Sequence, residues 1–198
     1  MPLARKADAI SPEDYLNGER QSEIKHEYMD GQVYSMAGAS VNHNRISRNF
    51  LKHLAINLPE SCEVFSSDLL VRTTSTRYRY PDLVVLCDDE STEGNDQFVT
   101  HPVLIIEVLS KSTRQQDKGT KRTEYLSLPS LQEYVLVEQD FVEVEVLRRS
   151  QDWRSENYYL GQIVLLESVG IELNVADLYE RVDNADMAQF RVVGDVEK

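Results

Sequence analysis

Long apolar runs are missing from this chain, and no stretch reaches the length a bilayer-spanning helix needs. The opening residues, Met1 to Asp8, lack the apolar centre of a secretory signal. Cysteine is scarce. Cys62 and Cys87 sit in apolar, strand-like segments without metal-ligand spacing, which predicts reduced core thiols in a cytoplasmic protein. There is no glycine-rich phosphate loop, no dinucleotide fingerprint and no nucleophile beside a general base, so the chemistries those motifs serve are not indicated. Internal repeats and low-complexity linkers are absent too. A chain of 198 residues is long enough for one sizeable core, and residues 1–198 are read as a single domain. Its core is expected at about residues 11–182, with a frayed acidic C-terminus.

Basic charge is also in short supply. Against 34 Asp and Glu stand 21 Lys and Arg, a formal net charge of -13, which argues against tight nonspecific binding of a nucleic-acid duplex. The deficit is uneven. Between Val41 and Tyr125 eleven basic residues meet twelve acidic ones, while the flanks, above all Glu167 to Lys198, hold the excess acid. A phosphate-handling site is therefore compatible with the middle of the chain.

What is present reads as a mixture of helices and strands. Ser11-Pro12-Glu13-Asp14 starts a short helix that ends near Asn17-Gly18, with Ser11 as its cap. Glu27 to Met36 predicts a hairpin turning at Asp30-Gly31. Val41 to Leu58 predicts the best helix, with Ile46, Phe50, Leu54 and Leu58 at i+4 spacing before Pro59. Cys62 to Arg72 reads as one strand, and Asp88 to His101 as an acidic surface loop. A helix is expected from about Thr113 to Ser127. Glu133–Glu138 and Phe141–Leu147 should pair as a valine-rich hairpin, with Val142, Val144 and Val146 on one face. Strands are expected near Trp153–Tyr159 and Ile163–Leu166, and a short helix over Val175–Val182 is expected to close the fold. The class is α+β (α/β), a central mixed β-sheet flanked by helices.

Two apolar runs carry the chemistry. Tyr80-Pro-Asp-Leu-Val-Val-Leu-Cys87 and Pro102-Val-Leu-Ile-Ile-Glu-Val-Leu-Ser110 both read as short buried strands. A carboxylate inside such a strand is expensive unless it is paired, protonated or bound to metal, and Glu107 needs one of those explanations. Asp82 enters its strand behind a stiffening proline. Two carboxylates on neighbouring strands suit a hard divalent cation, and with a backbone carbonyl, here Val108, they satisfy Mg²⁺. Such a site with a nearby lysine fits phosphodiester hydrolysis. In-strand geometry would put that lysine at position 109, which is leucine. Asp117, Lys121 and Tyr125 instead recur at i, i+4 and i+8 and form one helical stripe, so Lys121 is the candidate.

At these residues the chain resembles the Uma-two family of restriction endonucleases, within the PD-(D/E)XK nuclease superfamily. The matching stretches are Glu27-Tyr-Met-Asp-Gly31, Met36-Ala-Gly-Ala-Ser40 with His43, Phe65-Ser-Ser-Asp68 and Tyr80-Pro-Asp82. They continue through Glu107-Val-Leu-Ser110, Ser112-Thr113, Asp117, Lys121, Tyr125 and Glu133-Tyr134. The resemblance covers roughly Ser11 to Leu147. It implies a restriction-endonuclease-like core, DNA as substrate, Mg²⁺ or Mn²⁺ at Asp82 and Glu107, and Glu27 as an additional acid. Leu109 departs from the superfamily pattern. That departure keeps two other readings open: a nuclease-fold module for binding or dimerisation, and a hydrolase of a small phosphate ester. A homodimer is expected from the fold class, with the 133–147 hairpin as a possible association edge.

Other residues have plainer readings. His43 reads as a helix cap or a helix-end residue, Tyr125 as packing beneath Lys121, Asp68 as a loop cap or a functional acid. The Tyr78-Arg79-Tyr80 cluster, with Arg72 and Arg77 close by, is either a phosphate contact or an exposed loop of mixed charge.

Overall fold

In the computed structural model, residues 9–87 and 92–196 are described, residues 191–196 by their backbone alone. Ser11 caps α1 (Pro12–Glu19), its hydroxyl accepting the Asp14 N–H while Pro12 occupies the first turn. A hairpin follows, β1 (His26–Met29) and β2 (Gln32–Ser35). Asp30 and Gly31 both take positive φ in its turn, and a Cβ on Gly31 would stand 2.7 Å from the Ala9 Cβ, so the turn requires glycine. Ser40 caps α2 (Val41–Asn57), which buries Ile46, Phe50 and Leu54 along one stripe.

Two sheets organise the rest. Strands β4 (Leu70–Thr74), β5 (Arg77–Arg79) and β7 (Phe98–Val99) join the hairpin in the order β2–β1–β5–β4–β7. The second sheet uses β3 (Cys62–Ser66), β6 (Leu83–Cys87), β8 (Leu104–Leu109), β9 (Glu133–Glu138), β10 (Val144–Arg148) and β11 (Ser155–Tyr158). Its order is β11–β10–β9–β8–β6–β3. Within it β8 and β9 run parallel and the other pairs antiparallel, so the sheet is mixed as expected. The β8–β9 crossover is helical: α3 (Arg114–Gln116), a π-helical turn over Asp117–Lys121, and α4 (Arg122–Leu126).

Both faces of the six-stranded sheet are covered, which is why its central strands are continuous apolar runs rather than alternating ones. One face packs Val85, Leu104, Ile106 and Val135 under α2, the hairpin of β12 (Ile163–Leu166) and β13 (Ile171–Asn174), and α5 (Val175–Leu178). The other packs Val84, Ile105, Leu109 and Tyr134 against Tyr125 and against Val71 and Val99 of the five-stranded sheet. Among the described residues no helix is long and apolar enough to cross a membrane.

Several expectations are corrected. The run from Cys62 to Arg72 is two strands in different sheets, broken where Ser67 takes positive φ. The 88–101 connection contains β7, and its residues 88–91 lie outside the described ones. Ile171–Asn174 is a strand, and the helix expected to Val182 stops at Leu178. The tail carries α6 (Ala185–Val196), anchored by buried Met187 and by Asp186, whose carboxylate accepts the Val142 N–H. The 133–147 hairpin offers no association edge, because β8 pairs one side of β9 and β11 one side of β10.

Cys62 and Cys87 are not free thiols. The β3–β6 register sets them directly opposite one another, and they form a disulfide. Their 25-residue separation hides this from the sequence. In the chain-entropy account, closing a loop of that size stabilises the fold by about 3.5 kcal/mol. A Cys62→Ser, Cys87→Ser double variant, or reduction of the wild type, is expected to lower the urea midpoint accordingly. Two free thiols found by alkylation of unreduced, denatured protein would overturn this.

Candidate active site

The site lies where the two sheets part. Tyr80-Pro81-Asp82 carries the chain from β5 in one sheet to β6 in the other, leaving Asp82 one residue ahead of β6. Pairing of β6 with β8 ends at Leu83 opposite Ile106. The Val108 N–H, deprived of a strand partner on that side, donates to Asp82 Oδ2 at 2.7 Å. In extended backbone the carbonyl of a residue points the same way as its N–H, so the Val108 carbonyl faces the same opening. His43, in the first turn of α2, places Nε2 3.1 Å from the same Asp82 oxygen.

Glu107 is buried on β8, on the face it shares with Ile105 and Leu109. Its Oε1 accepts from Lys121 Nζ at 3.1 Å and from the Tyr125 hydroxyl at 3.0 Å, while Oε2 meets the Asp82 N–H at 3.4 Å. Lys121 also stands 3.2 Å from Glu27 Oε1 and 3.3 Å from Asp117 Oδ1. The last contact lacks hydrogen-bond geometry, and Asp117 Oδ1 is buried without a hydrogen bond. Both Asp117 and Lys121 belong to the π-helical turn, where a regular helix is expected from sequence. Such turns occur mostly as local insertions and often at functional sites. Here the Tyr134 hydroxyl donates to the Asp117 carbonyl at 3.2 Å and holds the turn.

Behind this layer lies a second. Arg79 is 0% exposed. It donates to Glu27 Oε2 at 2.8 Å and forks onto Glu124 at 2.8 and 2.7 Å. Arg77 reaches Glu124 as well, and Arg79 and Arg77 together hold the Glu124 carboxyl below its ordinary range although burial works the other way.

Charge is unbalanced at the front. Glu27, Glu107 and Asp117 crowd around the single ammonium of Lys121, Asp82 lies beside Glu107, and Arg79 is shared between Glu27 and Glu124. Burial pushes the Glu107 carboxyl well up; Lys121 opposes this, and Asp117, Asp82 and Glu27 add to it. Burial likewise raises Asp117. Burial alone would lower the Lys121 ammonium, but Glu107, Glu27 and Asp117 outweigh it and the net shift is upward. Lys121 stays charged.

Does this set suit a divalent cation? Among the described residues no three His, Cys, Asp or Glu side chains already surround one point. What converges is two carboxylates and a main-chain carbonyl, an all-oxygen set of the kind Mg²⁺ and Mn²⁺ prefer, in a neighbourhood with surplus negative charge. The residues fit.

Glu27, Asp82, Glu107, Val108 and Lys121, all singled out from sequence, line one cleft of 1370 Å³. Asp68 does not. It is exposed and pairs with Lys25 at 2.5 Å. Tyr125 is more than packing, since its hydroxyl holds Glu107. The Tyr78–Tyr80 cluster is no exposed loop: Arg79 lies on β5 and is wholly buried. The Arg-Tyr-Arg alternation ahead of Pro81 was the available signal for that strand. Glu124 had no signal of its own.

Residues 12–176 match the family model Uma2, described as "Putative restriction endonuclease". The chain belongs to the Uma2 family. Two uncharacterized Synechocystis proteins are similar to this Uma2 chain. One, slr1290, is 38% identical over 177 residues, covering 86% of the chain and 91% of its own length. The other, sll1609, is 37% identical over 155 residues, covering 77% and 88%. The Uma2 fold is also that of a crystal structure from Anabaena variabilis, described as "a putative nuclease belonging to DUF820". The TM-score is 0.66 at 22% identity, over 83% of this chain and 97% of that one. Family and fold are thus nuclease-like, in agreement with the motif reading.

Proposed function

We propose that this protein is a divalent-metal-dependent DNA endonuclease in which Asp82, Glu107 and the Val108 carbonyl hold Mg²⁺ or Mn²⁺. The observation that carries the reading is the convergence of Glu107, Glu27 and Asp117 on one buried lysine beside Asp82, under an open cleft. A bound cation would supply Lewis acidity toward a phosphodiester and lower the pKa of a water.

The chain's own residues do the rest. Lys121 keeps its proton, so it acts as a fixed positive charge beside the phosphate and not as a general base. Glu27, tied back by Arg79, orients that ammonium from the far side. Tyr125 fixes the Glu107 carboxylate, and His43 fixes that of Asp82. Leu109, in the position where the superfamily carries lysine, fills the core beside Tyr125 and Tyr134 instead. Cutting both strands of a duplex would call for a homodimer, and any such association would use an edge other than β9 or β10.

The deciding experiment compares wild type with Asp82→Ala in Mn²⁺ titration calorimetry and in cleavage of plasmid and branched DNA. Loss of cation binding and of cleavage, with an unchanged circular-dichroism spectrum, is expected. Wild-type-like cation binding by the folded variant would sink the proposal.

A further inference from the structure

Resting on the nuclease reading, we infer that the segment of nucleic acid in the cleft is unpaired, with a base stacked on Tyr34 and a phosphate held by Lys111. The β1–β2 register sets Tyr34 directly opposite Glu27, so the two side chains share one face of the hairpin. Glu27 reaches inward to Lys121; Tyr34 borders the cleft. Tyr34 is 49% exposed although it lies on a strand, and Met36, two residues on, is exposed and also borders the cleft. Strand β2 is exposed along its whole length and forms the sheet's edge. A half-exposed aromatic ring one cross-strand step from a candidate catalytic carboxylate is a surface suited to a flat π partner.

The loop after β8 offers the complementary chemistry. Ser110, Lys111 and Ser112 border the cleft just beyond Glu107, and Ser110 Oγ lies 2.9 Å from Ser112 Oγ and 3.1 Å from Thr113 Oγ1, which braces the loop. Lys111 is exposed and has no ion pair among the described residues, whereas Lys25, Lys118 and Lys121 are each matched by carboxylates. A phosphate is the ligand that suits an unmatched ammonium beside hydroxyls.

A single strand presents both chemistries at once, π faces and phosphates. A duplex hides its base faces and leans on many cations along two backbones, which this acidic chain with its sparsely basic cleft does not supply.

The test is fluorescence anisotropy with a labelled single-stranded oligonucleotide and its duplex, in Ca²⁺ in place of Mg²⁺, alongside plasmid cleavage in Mg²⁺ or Mn²⁺. Single strand should bind more tightly than duplex. Tyr34→Ala should weaken single-strand binding by about 5- to 150-fold, the range expected for one base–aromatic stack, while Tyr34→Phe binds like wild type. Lys111→Ala should lower the salt dependence of log K by about 0.7, the value for one phosphate contact on a single strand. Duplex preference, or a folded Tyr34→Ala that binds like wild type, overturns this inference and leaves the nuclease reading standing if cleavage persists. Failure to bind or cut any nucleic acid overturns both.

Discussion

Lys121→Met is expected to destabilise the metal-free protein by about 3–5 kcal/mol, the range for removing one partner from a buried charge cluster. Three carboxylates, from Glu27, Glu107 and Asp117, lose their shared ammonium in this variant. Neither Arg79 nor Tyr125 compensates. Arg79 is already divided between Glu27 and Glu124, and a tyrosine hydroxyl carries no charge. A divalent cation should restore part of the loss, since saturation at a hundred times its dissociation constant contributes about 2.7 kcal/mol. Cleavage should stay down by about 10²- to 10³-fold even when stability is restored. Urea unfolding with and without Mn²⁺, read beside cleavage under the same conditions, separates the two effects. A variant as stable and as active as wild type would remove Lys121 from the site.

Glu107→Gln is expected to abolish cleavage, by about 10³-fold or more if the cation's several kcal/mol are lost with its ligand. Stability should move the other way. The folded-state pKa of Glu107 is raised, so between the ordinary glutamate range and that higher value the native state binds more protons than the unfolded chain. Metal-free wild type therefore loses stability as pH rises through this window. Glutamine removes the largest part of that slope, and Asp117, also raised, leaves a remainder. Above neutral pH the variant should be the more stable protein, because it no longer confines a reluctant charge. Denaturation midpoints across pH 5 to 9 provide the check. An undiminished slope would mean that Glu107 is not the group responsible.

These expectations trace unevenly to the primary structure. Pro81-Asp82 and Glu107 were legible because a carboxylate in an apolar strand calls for an explanation, and one such residue points to another. Lys121 followed from the i+4 stripe with Asp117 and Tyr125 once position 109 proved to be leucine. The π-helical turn that seats Lys121 left no mark, since Asp117–Lys121 reads as ordinary helix. Arg79 and Glu124 were hidden for another reason. Their partnership spans 45 residues and exists only after β5 and α4 meet, so each looked like surface charge alone. The disulfide was concealed in the same manner, because only the strand register places Cys62 opposite Cys87. Long-range pairing, not local pattern, was the missing information.

Lys121 bridges Glu27 of the five-stranded sheet to Glu107 of the six-stranded one, so the cleft floor is also a seam between the two halves of the molecule. Anything that settles there and adds bonds to both sides tightens that seam, and the energy of binding reappears as resistance to unfolding. A melting curve is then a substrate detector. Panels of cations, nucleotides and short oligonucleotides can be ranked by the temperature at which the chain gives way, before any product of a reaction has been found.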